Sequence, residues 1–83
     1  MELQQKFEQA SQDVKKLTSK PSNDVLLKLY ALYKQATEGN VSGKKPGMLD
    51  VKGRAKYEAW SQQKGVSQES AMAKYIELVE SLM

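Results

Sequence analysis

Two tyrosines and a lysine, Tyr30, Tyr33 and Lys34, stand at positions i, i+3 and i+4 in the stretch YALYKQATEG. Residues three and four apart share one face of an α-helix, so a helix here presents all three side chains together. A tyrosine offers a flat ring and a hydroxyl donor, and a lysine is a compact charge that suits phosphate. The spacing fits a site for an aromatic base with an attached phosphate. It equally fits two core tyrosines beside a solvated lysine.

Positive charge is concentrated between Lys44 and Lys56, where five basic residues face a single acid, Asp50. The net charge of this segment is +4, against +3 for the whole chain. Lys52 and Lys56 are four residues apart and share a helix face. Near a helix N-terminus such a cluster can bind an anion, and the alternative is a solvated basic face.

Composition excludes most catalytic chemistry. The chain has no cysteine and no histidine, so thiolate nucleophiles, imidazole bases and the commonest metal ligands are absent. No phosphate-binding loop of a nucleotide hydrolase, dinucleotide-binding or zinc-protease motif is present. We therefore predict that the protein is not an enzyme and uses no cofactor or metal.

Length and hydropathy indicate one soluble domain spanning residues 1–83, with 40% hydrophobic and 28% charged residues. The longest apolar run, Leu29 to Tyr33, is far too short to span a bilayer, so no stable membrane insertion is expected. The first residues resemble neither a secretory signal nor a transit peptide. The expected location is cytoplasmic, and the expected state is a monomer.

Apolar periodicity predicts an all-α fold, a four-helix bundle. Asp50 and Ser67 are expected N-caps of the last two helices, and the long 39–49 connection argues against a bundle with uniformly short loops. The predicted helices cover about residues 3–18, 23–37, 51–63 and 68 onward. Their inward stripes are Leu3, Phe7, Ala10, Val14 and Leu17; Leu26, Leu29, Tyr30 and Tyr33; Val51, Ala55, Ala59 and less clearly Trp60; and Met72, Tyr75, Ile76, Val79 and Leu82.

Two positions, Tyr75 and Met48, carry two interpretations each. Trp60 and Tyr75 lie on apolar stripes and are expected in the core, although the Tyr75 hydroxyl can reach a ligand if its stripe meets the second helix at an edge. Met48 belongs to the loop stretch PGMLD and either caps the core or lines a groove beside the basic segment.

Taken together, the blocks YALYKQATEG, KKPGMLD, GRAKYEAW and SAMAKYIELV resemble the acyl-CoA-binding protein family, from Phe7 to Val79. The resemblance implies an up-down-down-up bundle and a soluble intracellular carrier of long-chain fatty acyl-CoA thioesters. Tyr57 stands where family members commonly have tryptophan, and VSGKK is an unusually basic form of the loop. Neither departure removes a matched ligand residue.

The resemblance also implies roles for individual residues. Tyr33 stacks on the adenine, while Tyr30, Tyr75, Lys34 and Lys56 gather around the phosphates, chiefly the ribose 3′-phosphate. The remaining implied contacts to the ligand are Lys15, Lys52, Ala31 and Leu32, and the candidates for an apolar groove around the acyl chain are Ala10, Leu27 and Met48.

Two other functions stay open at this point. One is a small basic helical module that binds another anionic partner, a nucleic acid or a membrane surface, although no nucleic-acid motif supports it and no nucleic-acid partner is expected. The other is an enzyme acting on acyl-CoA, which lacks a nucleophile–base pair. Enzymes that use acyl-CoA are possible partners of a carrier.

Overall fold

The amphipathic stripes form four α-helices in the computed structural model, which describes residues 2–83. No strand occurs in this part of the chain, which confirms the all-α prediction. A single 3₁₀ turn, Val14–Lys16, follows the first helix. The helices are α1 (Leu3–Asp13), α2 (Asn23–Glu38), α3 (Val51–Ser61) and α4 (Gln68–Leu82).

Polar side chains cap three of the helices. The hydroxyl of Ser22 accepts a hydrogen bond from the Val25 amide at the start of α2. Asp50 caps α3 by accepting from the Gly53 amide at 3.0 Å, and the Ser67 hydroxyl accepts from the Ser70 amide at 3.0 Å. The predicted caps at Asp50 and Ser67 are thereby confirmed.

Two helices are shorter than predicted. The α-helical part of α1 ends at Asp13, and Leu17 is already extended, four residues before Pro21. The third helix ends at Ser61 because the amides of Gln63 and Lys64 bond to carbonyls three residues back, which tightens the chain into turns.

Contacts between helix ends establish an up-down-down-up topology. The indole Nε1 of Trp60 donates to the Gly39 carbonyl at 2.8 Å, so the C-terminal ends of α2 and α3 lie together and these helices are parallel. The side chain of Gln68 donates to the Thr37 carbonyl at 3.1 Å, so α4 begins where α2 ends. Leu3 lies near Ser67, which makes α1 parallel to α4.

The core lies where α1, α2 and α4 meet, and α3 packs mainly against α2. Val51 was expected on the inward face, but it is 73% exposed, because it borders an open space between α2 and α3. Trp60 is buried, as the stripe suggested. The core residues are Phe7, Ala10, Leu29, Leu32, Ala36, Ala71, Tyr75 and Val79.

A polar contact joins the loop after α2 to the turn before α4. The buried Gln35 side chain donates to Asn40 Oδ1 at 2.9 Å and to the Val66 carbonyl at 2.6 Å. Asn40 Oδ1 also accepts from the Gly65 amide at 2.9 Å. These bonds hold the C-terminal end of α2 in place, one turn beyond Tyr33 and Lys34.

Candidate binding site on α2 and α3

An aromatic–lysine strip, defined here as Tyr33, Tyr30, Lys34 and Lys56, crosses α2 toward α3. The ammonium of Lys56 lies 5.4 Å from the ring centroid of the half-buried Tyr30. A cation at this distance from a phenol ring is attracted to its π face. Because α3 runs parallel to α2, it brings Lys56 beside a residue 26 positions earlier in the chain.

Tyr33 is the most exposed aromatic ring of the strip. Phe7 stacks on it with ring centroids 5.5 Å apart and an interplanar angle of 28°, while 42% of Tyr33 remains exposed. The phenylalanine therefore supports the ring from the α1 side, and the exposed remainder is available to a flat ligand. Sequence reasoning assigned Phe7 to the core and missed this supporting role.

Tyr75 of α4 completes the aromatic cluster behind the strip. Its ring lies 5.1 Å from that of Phe7 and 6.1 Å from that of Tyr33, and the residue is buried. Burial raises the pKa of its hydroxyl above 10.0, and the neighbouring Tyr33 adds to the rise. The hydroxyl therefore stays protonated at neutral pH and can donate a hydrogen bond.

Lys34 is engaged in two contacts with neighbouring residues. Its ammonium forms an ion pair with Glu38, one turn further along α2, and lies 4.9 Å from the Trp60 ring centroid. The charge is thus held at the α2–α3 junction, where a phosphate must compete with Glu38. The i, i+4 spacing of this pair was visible in the sequence, but its effect on Lys34 was not predicted.

An apolar groove lies beside the strip, between the N-terminal halves of α2 and α3. This α2–α3 groove has a volume of 360 Å³, at the lower end of the range for ligand pockets. Its apolar lining is Leu26, Leu27, Val51 and Ala55, and its polar rim is Asn23, Lys52 and Lys56. Lys56 thus belongs to both the strip and the groove, so the two adjoin.

A second cavity of 610 Å³ shares Leu27 and Ala55 with the α2–α3 groove. Its lining mixes Ala31 and Ala59 with charged and amide side chains, including Asp24, Lys28, Glu58, Gln62 and Gln63. The polar lining makes it a poorer environment for an alkyl chain than the neighbouring groove.

The other predicted site residues take different places. Ala31 is buried against the second cavity, and Leu32 and Ala10 are buried in the core, where they expose almost no surface. Lys15 is exposed in the 3₁₀ turn after α1, and no contact ties it to the strip. Met48 lines neither cavity and does not cap the core.

The position of Met48 has a local cause. The Asp50 amide bonds to the Gly47 carbonyl at 3.0 Å, which closes a turn with Met48 and Leu49 at its apex. Residues at the apex of a surface turn point to solvent, and Met48 is 82% exposed. Leu26 and Ala55, which do line the groove, were treated only as core residues in the sequence.

Other kinds of site are not apparent in the described residues. No group of three or more carboxylates placed to hold a metal ion occurs within residues 2–83. Across the same range, no helix has both the length and the apolar character needed to cross a bilayer.

Comparison with known proteins agrees with the fold. A model of the family described as "Acyl CoA binding protein" matches residues 4–79. The crystal structure of Oryza sativa acyl-CoA-binding protein 2 superposes with a TM-score of 0.93 at 44% identity, covering 98% of this chain and 90% of that one. The fold is therefore that of the acyl-CoA-binding proteins, as predicted.

Curated relatives show the same similarity in sequence. The acyl-CoA-binding protein homolog of Drosophila melanogaster is 51% identical over 81 residues, 98% of this chain and 94% of the relative. The acyl-CoA-binding protein of Dictyostelium discoideum is 53% identical over 76 residues, 92% of this chain and 90% of the relative. These matches do not favour the alternative of a basic module for nucleic acid or a membrane surface, and the chain belongs to the acyl-CoA-binding protein family.

Proposed function

We propose that this protein binds long-chain fatty acyl-CoA thioesters and carries them as an intracellular pool. The observation that carries the proposal is that an aromatic–lysine strip adjoins an apolar groove through Lys56. The strip suits the nucleotide part of CoA and the groove suits an alkyl chain. Family membership agrees with this ligand.

The strip offers each group that the CoA head group needs. Tyr33 presents an exposed ring, supported by Phe7, on which an adenine stacks. Lys56 and Lys34 supply positive charge to the phosphates, chiefly the 3′-phosphate, and the hydroxyls of Tyr30 and Tyr75 donate hydrogen bonds. Lys52 lies at the rim of the groove, and Lys15 contacts the ligand from the turn after α1.

The groove contributes to affinity by burying the acyl chain. Transfer of one methylene group from water to an apolar site contributes about 0.8 kcal/mol, so binding strengthens with acyl length until the groove is filled. Lost chain entropy makes the measured increment smaller. Leu26 and Leu27 on α2 face Val51 and Ala55 on α3 across this space.

Binding and release, rather than turnover, is the chemistry we assign to the site. Without cysteine and histidine, the chain lacks the most reactive side-chain nucleophile and the commonest general base for attack on the thioester. The proposed carrier acts as a monomer with residues 1–83 as one binding domain, and it hands its ligand to enzymes that use acyl-CoA.

Isotope-filtered nuclear Overhauser spectra of the labelled protein with palmitoyl-CoA test this placement. We expect contacts from the adenine protons to the Tyr33 ring and from the acyl methylenes to Leu26 and Leu27. If the methylenes contacted only Ala31 and Ala59 of the second cavity, the acyl chain would bind there and not in the proposed groove.

A further inference from the structure

The turn before α3 and the first residue of α3 form an exposed apolar tip, defined here as Met48, Leu49 and Val51. Their exposed fractions are 82%, 100% and 73%. Three of the large exposed apolar residues in the described chain thus fall within four consecutive positions. Contiguous exposed apolar patches mark interaction surfaces, whereas exposed apolar residues scattered singly do not.

Positive charge surrounds this tip on both sides along the chain. Lys44 and Lys45 precede it and Lys52 and Arg54 follow it, all within the segment of net charge +4. Glu58 offsets part of this charge, since it lies 3.5 Å from Lys45 and 3.9 Å from Arg54. Lys44 and Lys52 take part in neither pair.

We propose that the tip docks the protein on an anionic phospholipid bilayer, with Leu49 inserted at the boundary between head groups and acyl chains. Apolar side chains with adjacent lysines are the combination that binds such a surface, because insertion and attraction to lipid phosphate add together. A nucleic acid fits the charge but leaves Leu49 without a role. Docking of this kind is peripheral and adds to acyl-CoA binding without replacing it.

Val51 connects the exposed tip to the α2–α3 groove. This residue belongs to the tip and also lines the α2–α3 groove. A protein docked through the tip therefore holds one end of the groove at the bilayer surface, where an acyl chain can pass between membrane and groove. This consequence rests on the proposed function, whereas docking itself does not.

Flotation of the protein with lipid vesicles tests the docking. We compare vesicles of phosphatidylcholine alone with vesicles of phosphatidylcholine and phosphatidylserine. The protein is expected to float with the anionic vesicles and to be released by salt. Leu49→Ser should reduce binding about tenfold, the factor that partial burial of one leucine provides. Lys44→Glu should reduce it by a similar factor of about ten.

Lys74→Glu is the matched control, because it makes the same change of net charge on an exposed position of α4. It should leave vesicle binding nearly unchanged. Equal losses of vesicle binding for Lys44→Glu and Lys74→Glu would show that binding depends only on net charge and would overturn the proposal. Undiminished vesicle binding of Leu49→Ser would overturn it as well. Titration of each variant with palmitoyl-CoA separates the two proposals, since neither Leu49 nor Lys44 belongs to the ligand site.

Discussion

Tyr30 and Tyr33 lie on one helix face but have different neighbours. Lys56 of α3 lies over the ring of Tyr30, whereas Phe7 of α1 stacks on the ring of Tyr33. The spacing in the sequence predicted that the two rings share a face. It could not predict which ring keeps an exposed surface for stacking, because that depends on helices distant in the chain.

Replacing Tyr33 tests the stacking role. We expect Tyr33→Ala to weaken the binding of acyl-CoA and of free CoA by the same roughly 1–3 kcal/mol, the usual contribution of a base stacked on an aromatic side chain. Tyr33→Phe is the control, since it keeps the ring and removes only the hydroxyl. If calorimetry showed unchanged affinity of Tyr33→Ala for both ligands, the adenine would not stack on this ring.

Glu38 competes with the ligand for Lys34. Because the carboxylate pairs with Lys34 in the free protein, a phosphate must displace it or bind beside it. Glu38→Gln should therefore strengthen CoA binding by about twofold, since an exposed helical ion pair contributes about 0.3–0.5 kcal/mol. The gain should vanish in a Lys34→Gln background. A gain that persists there would show that Glu38 acts through general charge instead.

The buried tyrosine makes stability depend on pH at the alkaline end. Burial raises the pKa of Tyr75 in the folded protein, while in the unfolded chain it ionises near 10.0. Above 10.0 the unfolded state therefore loses its proton first, and the free energy of unfolding falls as pH rises. Denaturant unfolding as a function of pH should show a smaller fall in Tyr75→Phe. An identical fall in both proteins would contradict the raised pKa.

At the scale of elements, the starts of the helices were more predictable than their ends. Asp50 and Ser67 act as N-caps because a cap depends on residues only three positions apart. The end of α1 was placed too late, because the apolar stripe continues through Leu17 after the backbone has left the helix. Val51 was misassigned because a stripe does not show where two neighbouring helices leave an open space between them.

In the first turn of α3, the Asp50 N-cap requires a glycine at position 53, although glycine has a low helix propensity. A Cβ added at Gly53 would come within 2.7 Å of the Asp50 carboxylate carbon, so Gly53→Ala must displace the cap. Loss of the cap costs about 1 kcal/mol and the gain in helix propensity is about 1 kcal/mol, so the two nearly cancel. The same substitution should stabilise an Asp50→Ala variant by about 1 kcal/mol in urea unfolding. Equal effects in both backgrounds would contradict the clash.

At the scale of the whole molecule, the connection between α2 and α3 determines where the site forms. α2 has 16 residues and is about 24 Å long, so a parallel α3 needs a connection that returns over this distance. The twelve residues from Gly39 to Asp50 can span up to about 40 Å. The long loop thus permitted a parallel pair, but only the resemblance to a family predicted it.

The α2–α3 groove shows what the sequence alone could not provide. Leu27 was predicted as a groove residue from the resemblance, but Leu26 and Ala55 looked like ordinary members of helical stripes. Their role depends on two parallel helices that leave space between their first turns. The role of Lys56 likewise depends on the packing of α3 against α2, because this packing places its ammonium over the Tyr30 ring.

The central claim is that strip and groove act as one site for a single ligand. Parallel calorimetric titrations with palmitoyl-CoA, free CoA and palmitate test it most directly. We predict tight one-to-one binding of palmitoyl-CoA, weaker binding of CoA and almost none of palmitate. Palmitoyl-CoA that binds no better than CoA would contradict the account, because the groove would then contribute nothing and the nucleotide alone would be the ligand.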